Sequence, residues 1–320
     1  MGKRPEKKEI GALIALFVGA LCTGSAGTLV RLSETGPTAT AFWRGCLALP
    51  VLALWALFEK GPGEQRTAGA WRAKATSTLA GFRDPGFLWA GFFFAGDLAL
   101  WHWALLLTSI AAATLESSVA PFIVTFIAWL CWRERPTLRY LGAAALALAG
   151  MALVVSPKFG HGSSAFLGDA CALGTAVFFA AYLLAVARLR ATYGTGTVMF
   201  NSTLVFTVLL LPLALSQKFL PDTPKGWAII AGCAVTAHVL GQGLITYALA
   251  HLRPTFGSLG LLVQVVGATV AAWLVLGEHL APVQIIGAMV IVGAIAAARS
   301  ARHAESSAPV PGGSLGVVRD

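Results

Sequence analysis

The sequence predicts an all-α integral membrane protein with ten transmembrane helices. Of its 320 residues, 57% are hydrophobic and 12% are charged, whereas a soluble domain has about 25% charged residues. The apolar residues fall in blocks about as long as a bilayer is thick, and these blocks lack the period-two alternation of barrel strands. We place the ten helices at residues 11–30, 40–58, 86–107, 112–131, 137–155, 166–187, 197–216, 226–250, 255–276 and 281–298.

The basic residues predict the orientation of these helices. A ten-helix path places 18 of the 23 Lys and Arg side chains on the face that carries both chain termini. By the positive-inside rule, residues 1–10 and the Ser-, Pro- and Gly-rich tail at 299–320 are therefore cytoplasmic, and we expect the tail to be disordered. The net charge of +9 thus indicates topology and not a nucleic-acid partner.

An internal repeat relates the third to fifth helices to the eighth to tenth. With an offset of 144 residues, "WALLLTSIAAATLESSVAP" at 103–121 aligns without a gap to "YALAHLRPTFGSLGLLVQV" at 247–265. The same offset continues into the next stretch, where Glu134 matches Glu278.

The two halves, residues 11–155 and 166–298, each contain five predicted helices. Because five is an odd number, the second half enters the membrane from the opposite side, and the halves become inverted-topology repeats around a central cavity. Such repeats support alternating access to a site near the midplane. The repeat therefore indicates a secondary transporter, and the alternative is a duplication retained for stability alone.

The repeated segments also resemble a known family. "TLESSVAPFIVTFIAWLCWRERPTLRYLGAAALALAG" and "LAHLRPTFGSLGLLVQVVGATVAAWLVLGEHLAPVQIIGAMVIVGA" look like EamA-type members of the drug/metabolite transporter (DMT) superfamily, over residues 10–298. The resemblance implies transport of small metabolites, amino acids foremost, across the cell inner (plasma) membrane. The sequence departs from the family pattern at Pro121, whose counterpart in the second half is Val265, and at "GEHLAP", which replaces "RERP".

Motifs for enzyme chemistry are absent from the sequence. It has no G-x-x-x-x-G-K-[ST], no H-E-x-x-H and no pair of cysteines at metal-ligand spacing. We therefore predict that the chain is not an enzyme and needs no metal or cofactor.

The third predicted helix carries ionisable groups inside an apolar run. Asp97 and Trp101 share one helix face, and His102 lies on a neighbouring face. Because a carboxylate facing lipid is costly, Asp97 should face the bundle interior, a partner or water. We expect these three residues to contact substrate; the alternatives are a structural pairing of Asp97 with Arg44 or Arg31, and a hydrogen-bonded core histidine.

Arg44 stands near the start of the second predicted helix, next to Trp43. The family resemblance implies a basic residue at this place, where it would hold a substrate carboxylate. Snorkelling of Arg44 to the external headgroups is the alternative.

The second half contributes polar and aromatic candidates for the same site. His238 and Gln242 lie four residues apart on the eighth helix, and Gln264 lies in the middle of the ninth, where the repeat places it near Pro121. Tyr182 and Tyr247 offer rings for stacking. Hydrogen bonding between helices is the alternative for the amides and the histidine.

Two further groups of residues are assigned to motion. Pro121, Glu134 and Glu278 are candidate gate or hinge residues, and plain solvated loop charges are the alternative for the two glutamates. Small residues should permit close, sliding helix contacts, and we name six of them: Gly24, Gly27, Gly142, Gly150, Gly287 and Gly293.

Together these observations predict an exporter of amino acids, tilted by its aromatic candidates towards aromatic or large neutral ones. One alternative is export of organic or quaternary-ammonium cations, for which Asp97 or Glu116 is essential and Arg44 dispensable. The other is a non-transporting membrane scaffold or sensor. The expected partners are a small-molecule substrate and the lipid bilayer, and the sequence leaves proton coupling and the choice between monomer and homodimer open.

Overall fold

The computed structural model describes residues 3–59, 84–107, 118–132, 136–156, 166–277 and 279–306. These residues form helices and short connections, and we give consecutive helical segments one label. The first half comprises α1 (Lys3–Gly24 and Ala26–Leu32), α2 (Pro37–Phe58), α3 (Pro85–Leu107), α4 (Ala120–Trp132) and α5 (Leu138–Val155). The second half comprises α6 (Phe166–Arg190), α7 (Thr195–Leu215), α8 (Pro224–Cys233, Ala234–Gln242 and Gly243–Ala248), α9 (Pro254–Gly260 and Val263–Leu276) and α10 (Pro282–Ser306).

Most of these helices are long and apolar enough to cross a membrane. Seven candidate spans occur among the described residues, in α1, α2, α5, α6, α7, α8 and α9. Two shorter apolar helices, Ala120–Cys131 and Pro282–Ala298, lie in α4 and α10. The remaining helix, α3, has 23 residues and carries the ionisable pair Asp97 and His102. The prediction of an all-helical multi-pass membrane protein is confirmed, whereas the count of ten crossings and the cytoplasmic termini stay predictions.

Helix boundaries follow local sequence signals. The Thr137 hydroxyl accepts a hydrogen bond from the backbone amide of Tyr140 at 3.2 Å, which caps the start of α5. Proline begins α2 and α9, where its missing N–H is not needed. Gly277 adopts a left-handed φ of 68° directly after α9 and ends it.

The helices of the two halves pack in matched pairs. Helix α1 packs on α8 and α9, and its repeat counterpart α6 packs on α3 and α4. Helix α2 packs on its own counterpart α7, and α5 packs on its counterpart α10. This arrangement is the one expected when a two-fold operation relates α1–α5 to α6–α10.

Glycines bring the α5 and α10 backbones into direct contact. A Cβ atom added to Gly287 would lie 2.5 Å from the carbonyl oxygen of Gly150, and one added to Gly150 would lie 2.9 Å from the carbonyl oxygen of Gly287. Gly24 of α1 approaches α9 equally closely, since an added Cβ would lie 2.2 Å from the Gln264 carbonyl oxygen.

The close-contact prediction is wrong for the other three glycines. Nothing lies within 4 Å of a Cβ added to Gly142 or Gly293, because both face open space on their helices. Gly27 meets only the ring of Trp101, at 4.0 Å.

Two carboxylates bind backbone amides at the starts of helices in the second half. Glu34, between α1 and α2, accepts hydrogen bonds from the amides of Asp222 and Thr223 at 2.8 and 3.0 Å, and from the Thr223 hydroxyl. Glu59, directly after α2, accepts hydrogen bonds from the first two amides of α7, at 2.8 and 2.6 Å. Negative charge is stabilised at helix N-termini, so each carboxylate fastens the first half to the second.

We expect Gly287→Val to destabilise the protein, because the added side chain collides with the α5 backbone. Overpacking of this kind costs about 1–3 kcal/mol. Gly293→Val is the matched control on the same helix, and an exposed substitution there changes stability by less than about 0.5 kcal/mol. Thermal unfolding of the purified variants in detergent measures both effects. Equal midpoints for the two variants would contradict the backbone contact.

The Glu34 contact should depend on pH. Hydrogen bonding by the Thr223 hydroxyl lowers the pKa of the Glu34 carboxyl below its ordinary value of 4.5. A carboxyl whose pKa is lowered by folding stabilises the folded state above its unfolded pKa, and this contribution is lost as the pH falls through the folded pKa. Glu34→Gln should therefore unfold at a lower temperature than the unsubstituted protein at neutral pH, and the difference should disappear below pH 4.5. A difference that stays constant across this range would show that the charge does not contribute.

Candidate functional site

A cavity of about 140 Å³ lies between helices of both halves. Helices α1, α2 and α3 of the first half and α6, α8 and α9 of the second contribute to its wall. Six of the ten side chains predicted to contact substrate line it, namely Arg44, Asp97, Trp101, His238, Gln242 and Gln264. The structure thus brings together residues that are up to 220 positions apart in the sequence.

Arg44 is buried in the bundle, with 7% of its surface exposed. Arg44 lines the cavity, and its Nε and Nη2 atoms are buried without a hydrogen-bond partner in the part of the chain that the structure describes. This position excludes snorkelling to the headgroups. A buried polar group without a partner is costly, so these two nitrogens hold hydrogen-bonding capacity that the described residues do not use.

Asp97 lies on the same cavity as Arg44. Within the described residues, however, no salt bridge joins the two groups. Asp97 is also only partly buried, since some of its surface faces the cavity. Arg44 and Asp97 therefore line one cavity without direct contact between their charged atoms.

Aromatic rings form the apolar part of the wall. Phe94 precedes Asp97 by three residues on α3, and it lines the cavity with Trp101 and with Phe179 of α6. Behind this wall, the ring of Tyr182 stacks on Phe94 with a centroid distance of 4.5 Å. Tyr182 does not itself line the cavity.

The stretch of α8 that reaches the cavity, Ala234–Gln242, is a π-helix. Its His238 Nε2 atom is hydrogen-bonded to the Thr203 hydroxyl at 2.8 Å, and the amide of Gln242 donates to the Tyr182 hydroxyl at 3.0 Å. Segments of π-helix are rare and occur frequently at functional sites. The sequence gives no signal for this one, because its residues continue an ordinary helical pattern.

Two further helices are interrupted next to the cavity. Helix α1 breaks at Ser25, and α9 breaks at residues 261–262. Gln264 directly follows the second break, and Thr23 directly precedes the first; both line the cavity. Irregular backbone at membrane depth is tolerated where it is buried in protein or lines a cavity.

Sequence reasoning did not identify seven of the lining residues: Thr23, Ala26, Phe94, Leu98, Thr175, Phe179 and Ala237. A helical-face argument could have found Phe94, because it lies three residues before Asp97. No such signal marks Thr175, whose hydroxyl donates to the carbonyl oxygen of Cys171 at 3.1 Å and resembles an ordinary helix-interior threonine.

Besides Tyr182, three of the candidates lie outside the cavity wall. The indole of Trp43 donates to the carbonyl oxygen of Phe219 at 2.8 Å, which places it among aromatic residues near the N-terminal end of α2. His102 is buried behind Trp101, with its Nδ1 atom 3.4 Å from the Thr38 hydroxyl. Tyr247 is 37% exposed and packs on a neighbouring histidine ring in its own chain segment.

The candidate gate residues are only partly described. Pro121 lies in the first turn of α4, and its carbonyl oxygen accepts a hydrogen bond from Thr125 at 2.7 Å. Thr125 in turn contacts the hydroxyl of Tyr140, which donates to the carbonyl oxygen of Thr255 in α9. Glu134 and Glu278 lie outside the described residues.

A stability comparison of two buried arginines tests whether Arg44 serves the fold or a ligand. Arg190 is 8% exposed and donates to the carbonyl oxygens of Thr246 and Tyr193, whereas two Arg44 nitrogens are unpaired. Arg190→Gln should lose about 2–3 kcal/mol of stability, because it removes hydrogen bonds from a charged group. Arg44→Gln should leave the thermal midpoint unchanged or raise it. A fall as large as that of Arg190→Gln would assign Arg44 a structural role.

Comparison with known proteins agrees with this architecture. The model of the EamA-like transporter family matches residues 10–156 and again residues 166–299. The pseudopaline exporter CntI of Pseudomonas aeruginosa strain UCBPP-PA14 is 26% identical over 195 residues, which are 61% of this chain and 68% of that protein. The pseudopaline exporter CntI of strain PAO1 is 25% identical over the same length.

A protein of known crystal structure shares the fold. It superimposes with a TM-score of 0.68 over 95% of this chain and 99% of its own, at 18% sequence identity. The family match in both halves, the helical bundle and the cavity between the halves lead to one conclusion: the chain belongs to the EamA-like transporter family.

Proposed function

We propose that this transporter exports small zwitterionic metabolites, namely amino acids with an apolar side chain. Arg44, which lines a cavity shared with Asp97 and has two buried nitrogens without a partner among the described residues, carries the proposal. Arg44 binds the substrate carboxylate, because a guanidinium pairs with it through two parallel hydrogen bonds. Asp97 accepts hydrogen bonds from the substrate ammonium group, and the aromatic wall contacts the substrate side chain.

The size of the cavity supports a small substrate. Its volume of about 140 Å³ lies below the range of about 300–1,000 Å³ that is typical of pockets for drug-sized ligands. One water occupies about 30 Å³ of liquid, so the cavity corresponds to roughly five waters. An amino acid of the large neutral class then requires some widening of the wall on binding.

Alternating access follows from the position of the cavity between the repeats. Glu34 and Glu59 each bind the first half to the start of a helix in the second half. In our proposal these contacts break in turn, which opens the cavity to opposite sides of the membrane. The direction of transport rests on the two CntI relatives, which carry the name exporter.

Organic cations are a weaker candidate for the substrate. Asp97 and the aromatic rings of Phe94 and Trp101 suit a quaternary ammonium group. Arg44 opposes it, because a second positive charge in the same low-dielectric cavity is repelled. A membrane scaffold or sensor would leave the unpaired guanidinium without a role.

Counterflow in proteoliposomes tests the proposal. Vesicles preloaded with unlabelled amino acids are challenged with each labelled amino acid in turn, and with a labelled quaternary amine. We expect accumulation of apolar amino acids. Arg44→Gln and Asp97→Asn should each weaken it at least about thirtyfold, because loss of one partner from a buried charge pair costs about 2 kcal/mol or more.

Trp101→Ala and Trp103→Ala are the matched aromatic pair for this assay. Trp101 lines the cavity, whereas Trp103, two residues further on α3, is 49% exposed and does not line it. We expect loss of accumulation in the first variant and full accumulation in the second. If the quaternary amine accumulates and still does so in Arg44→Gln, the substrate is an organic cation and not an amino acid. If the two tryptophan variants accumulate substrate equally, the aromatic wall does not contact the substrate.

A further inference from the structure

A second and larger pocket lies away from the central cavity. It has a volume of about 660 Å³ and is formed by α3, α4 and α6 at the end where α3 begins and α6 ends. Trp89 and Phe93 of α3 form one wall, Ile127 and Cys131 of α4 form the other, and Ala181 of α6 lies at the base. We call this pocket the α3–α4 groove.

The α3–α4 groove opens on the outer surface of the bundle. Trp89 is 56% exposed and Cys131 is also exposed, so both walls reach the face that lipid covers in a membrane protein. Most of the lining side chains are apolar. An apolar groove on this face suits the acyl chain of a lipid, because a lipid tail moves from the bilayer into the groove without leaving an apolar environment.

The rim of the groove carries one positive and one negative side chain. Arg188, in the last turn of α6, is exposed, and it has no hydrogen-bond or ion-pair partner in the part of the chain that the structure describes. Asp84, directly before α3, accepts a hydrogen bond from the amide of Gly86 at 2.8 Å. A carboxylate has about four acceptor positions, so this bond leaves capacity for another donor.

The location of the rim also matches a lipid headgroup. The charge distribution of the sequence predicts that this end of the bundle faces the cytoplasm, and Trp89 and Tyr193 are residues of the type that is enriched at membrane–water interfaces. Basic pockets between transmembrane helices on the cytoplasmic side are typical binding places for lipid phosphate groups.

We propose that the α3–α4 groove binds a phospholipid with a primary ammonium headgroup. The lipid phosphate pairs with Arg188, its ammonium group donates to Asp84, and one acyl chain lies between α3 and α4. This site is separate from the central cavity, and it places a lipid against the two helices of the first half that pack on α6.

Native mass spectrometry of the delipidated full-length protein tests the proposal. The protein is titrated with phosphatidylethanolamine, phosphatidylcholine and phosphatidylglycerol of identical acyl chains. We expect phosphatidylethanolamine to bind most tightly, because the methylated ammonium of the second lipid cannot donate to a carboxylate and the third lipid has no ammonium. Equal binding of all three lipids, or tightest binding of phosphatidylglycerol, would overturn the headgroup assignment.

Charge variants locate the lipid on the rim. Arg188→Gln should weaken the binding of all three lipids about fivefold, whereas Arg188→Lys should retain their binding. Arg139→Gln is the matched control, since Arg139 is an exposed arginine at the start of α5 outside the groove. Asp84→Asn keeps a capping side chain for Gly86 and should reduce phosphatidylethanolamine binding to the level of phosphatidylcholine. Equal effects of Arg188→Gln and Arg139→Gln would overturn the site.

A volume variant tests the acyl-chain part of the site independently of charge. Ala181→Phe fills the base of the groove and should abolish the lipid preference. Ala145→Phe adds the same side chain on the exposed face of α5 and should leave it intact. Retention of the full preference in Ala181→Phe would show that the acyl chain does not enter the groove.

Discussion

The guanidinium of Arg44 is held between apolar helices with two of its nitrogens unpaired, and the candidate site is arranged around this charge. Placing a charged side chain at the centre of a transmembrane helix costs about 2.5–3.5 kcal/mol even in favourable estimates. Asp97 lines the same cavity, without a direct salt bridge to Arg44 in the described structure. A ligand that carries both charges satisfies both groups at once, so binding energy comes from a cost that the fold already bears.

The remaining contacts of the site keep the charged pair in place while leaving the cavity open. The Gln242 amide donates a hydrogen bond to the Tyr182 hydroxyl, and the Tyr182 ring stacks on Phe94. The His238 ring is hydrogen-bonded to the Thr203 hydroxyl. Close backbone contact at Gly24 brings α1 and α9 together at one side of the cavity, where Gln264 completes the wall. The side chains of Gln242 and His238 are therefore engaged in hydrogen bonds, whereas two Arg44 nitrogens have no partner among the described residues.

The positions of the helices could be predicted because the apolar blocks have the length of a bilayer, and seven of the helices α1–α10 begin and end within three residues of the predicted bounds. Helix α1 begins eight residues before its predicted start, α4 begins eight residues after it, and α10 ends eight residues beyond its predicted end. The shared cavity of Arg44, Asp97 and Gln264 also follows from simple reasoning, since charges and amides avoid lipid and the repeat places them at similar depth. The location of Trp43 could not be predicted, because it depends on the carbonyl group of Phe219, which is 176 positions away. Helical periodicity likewise cannot tell whether Tyr182 lines a wall or lies behind it.

The π-helix of α8 has a consequence for how the cavity wall can change. A wide turn holds one residue more than an ordinary turn, so its conversion to α-helix rotates the following residues by about 100°. Gln242 lies at the end of this segment and would turn away from Tyr182, while His238 within it would leave Thr203. One shift of helical register would thus release two polar side chains into the cavity without moving α8 as a whole, and the transporter would hold a switchable set of hydrogen-bonding groups inside a rigid bundle.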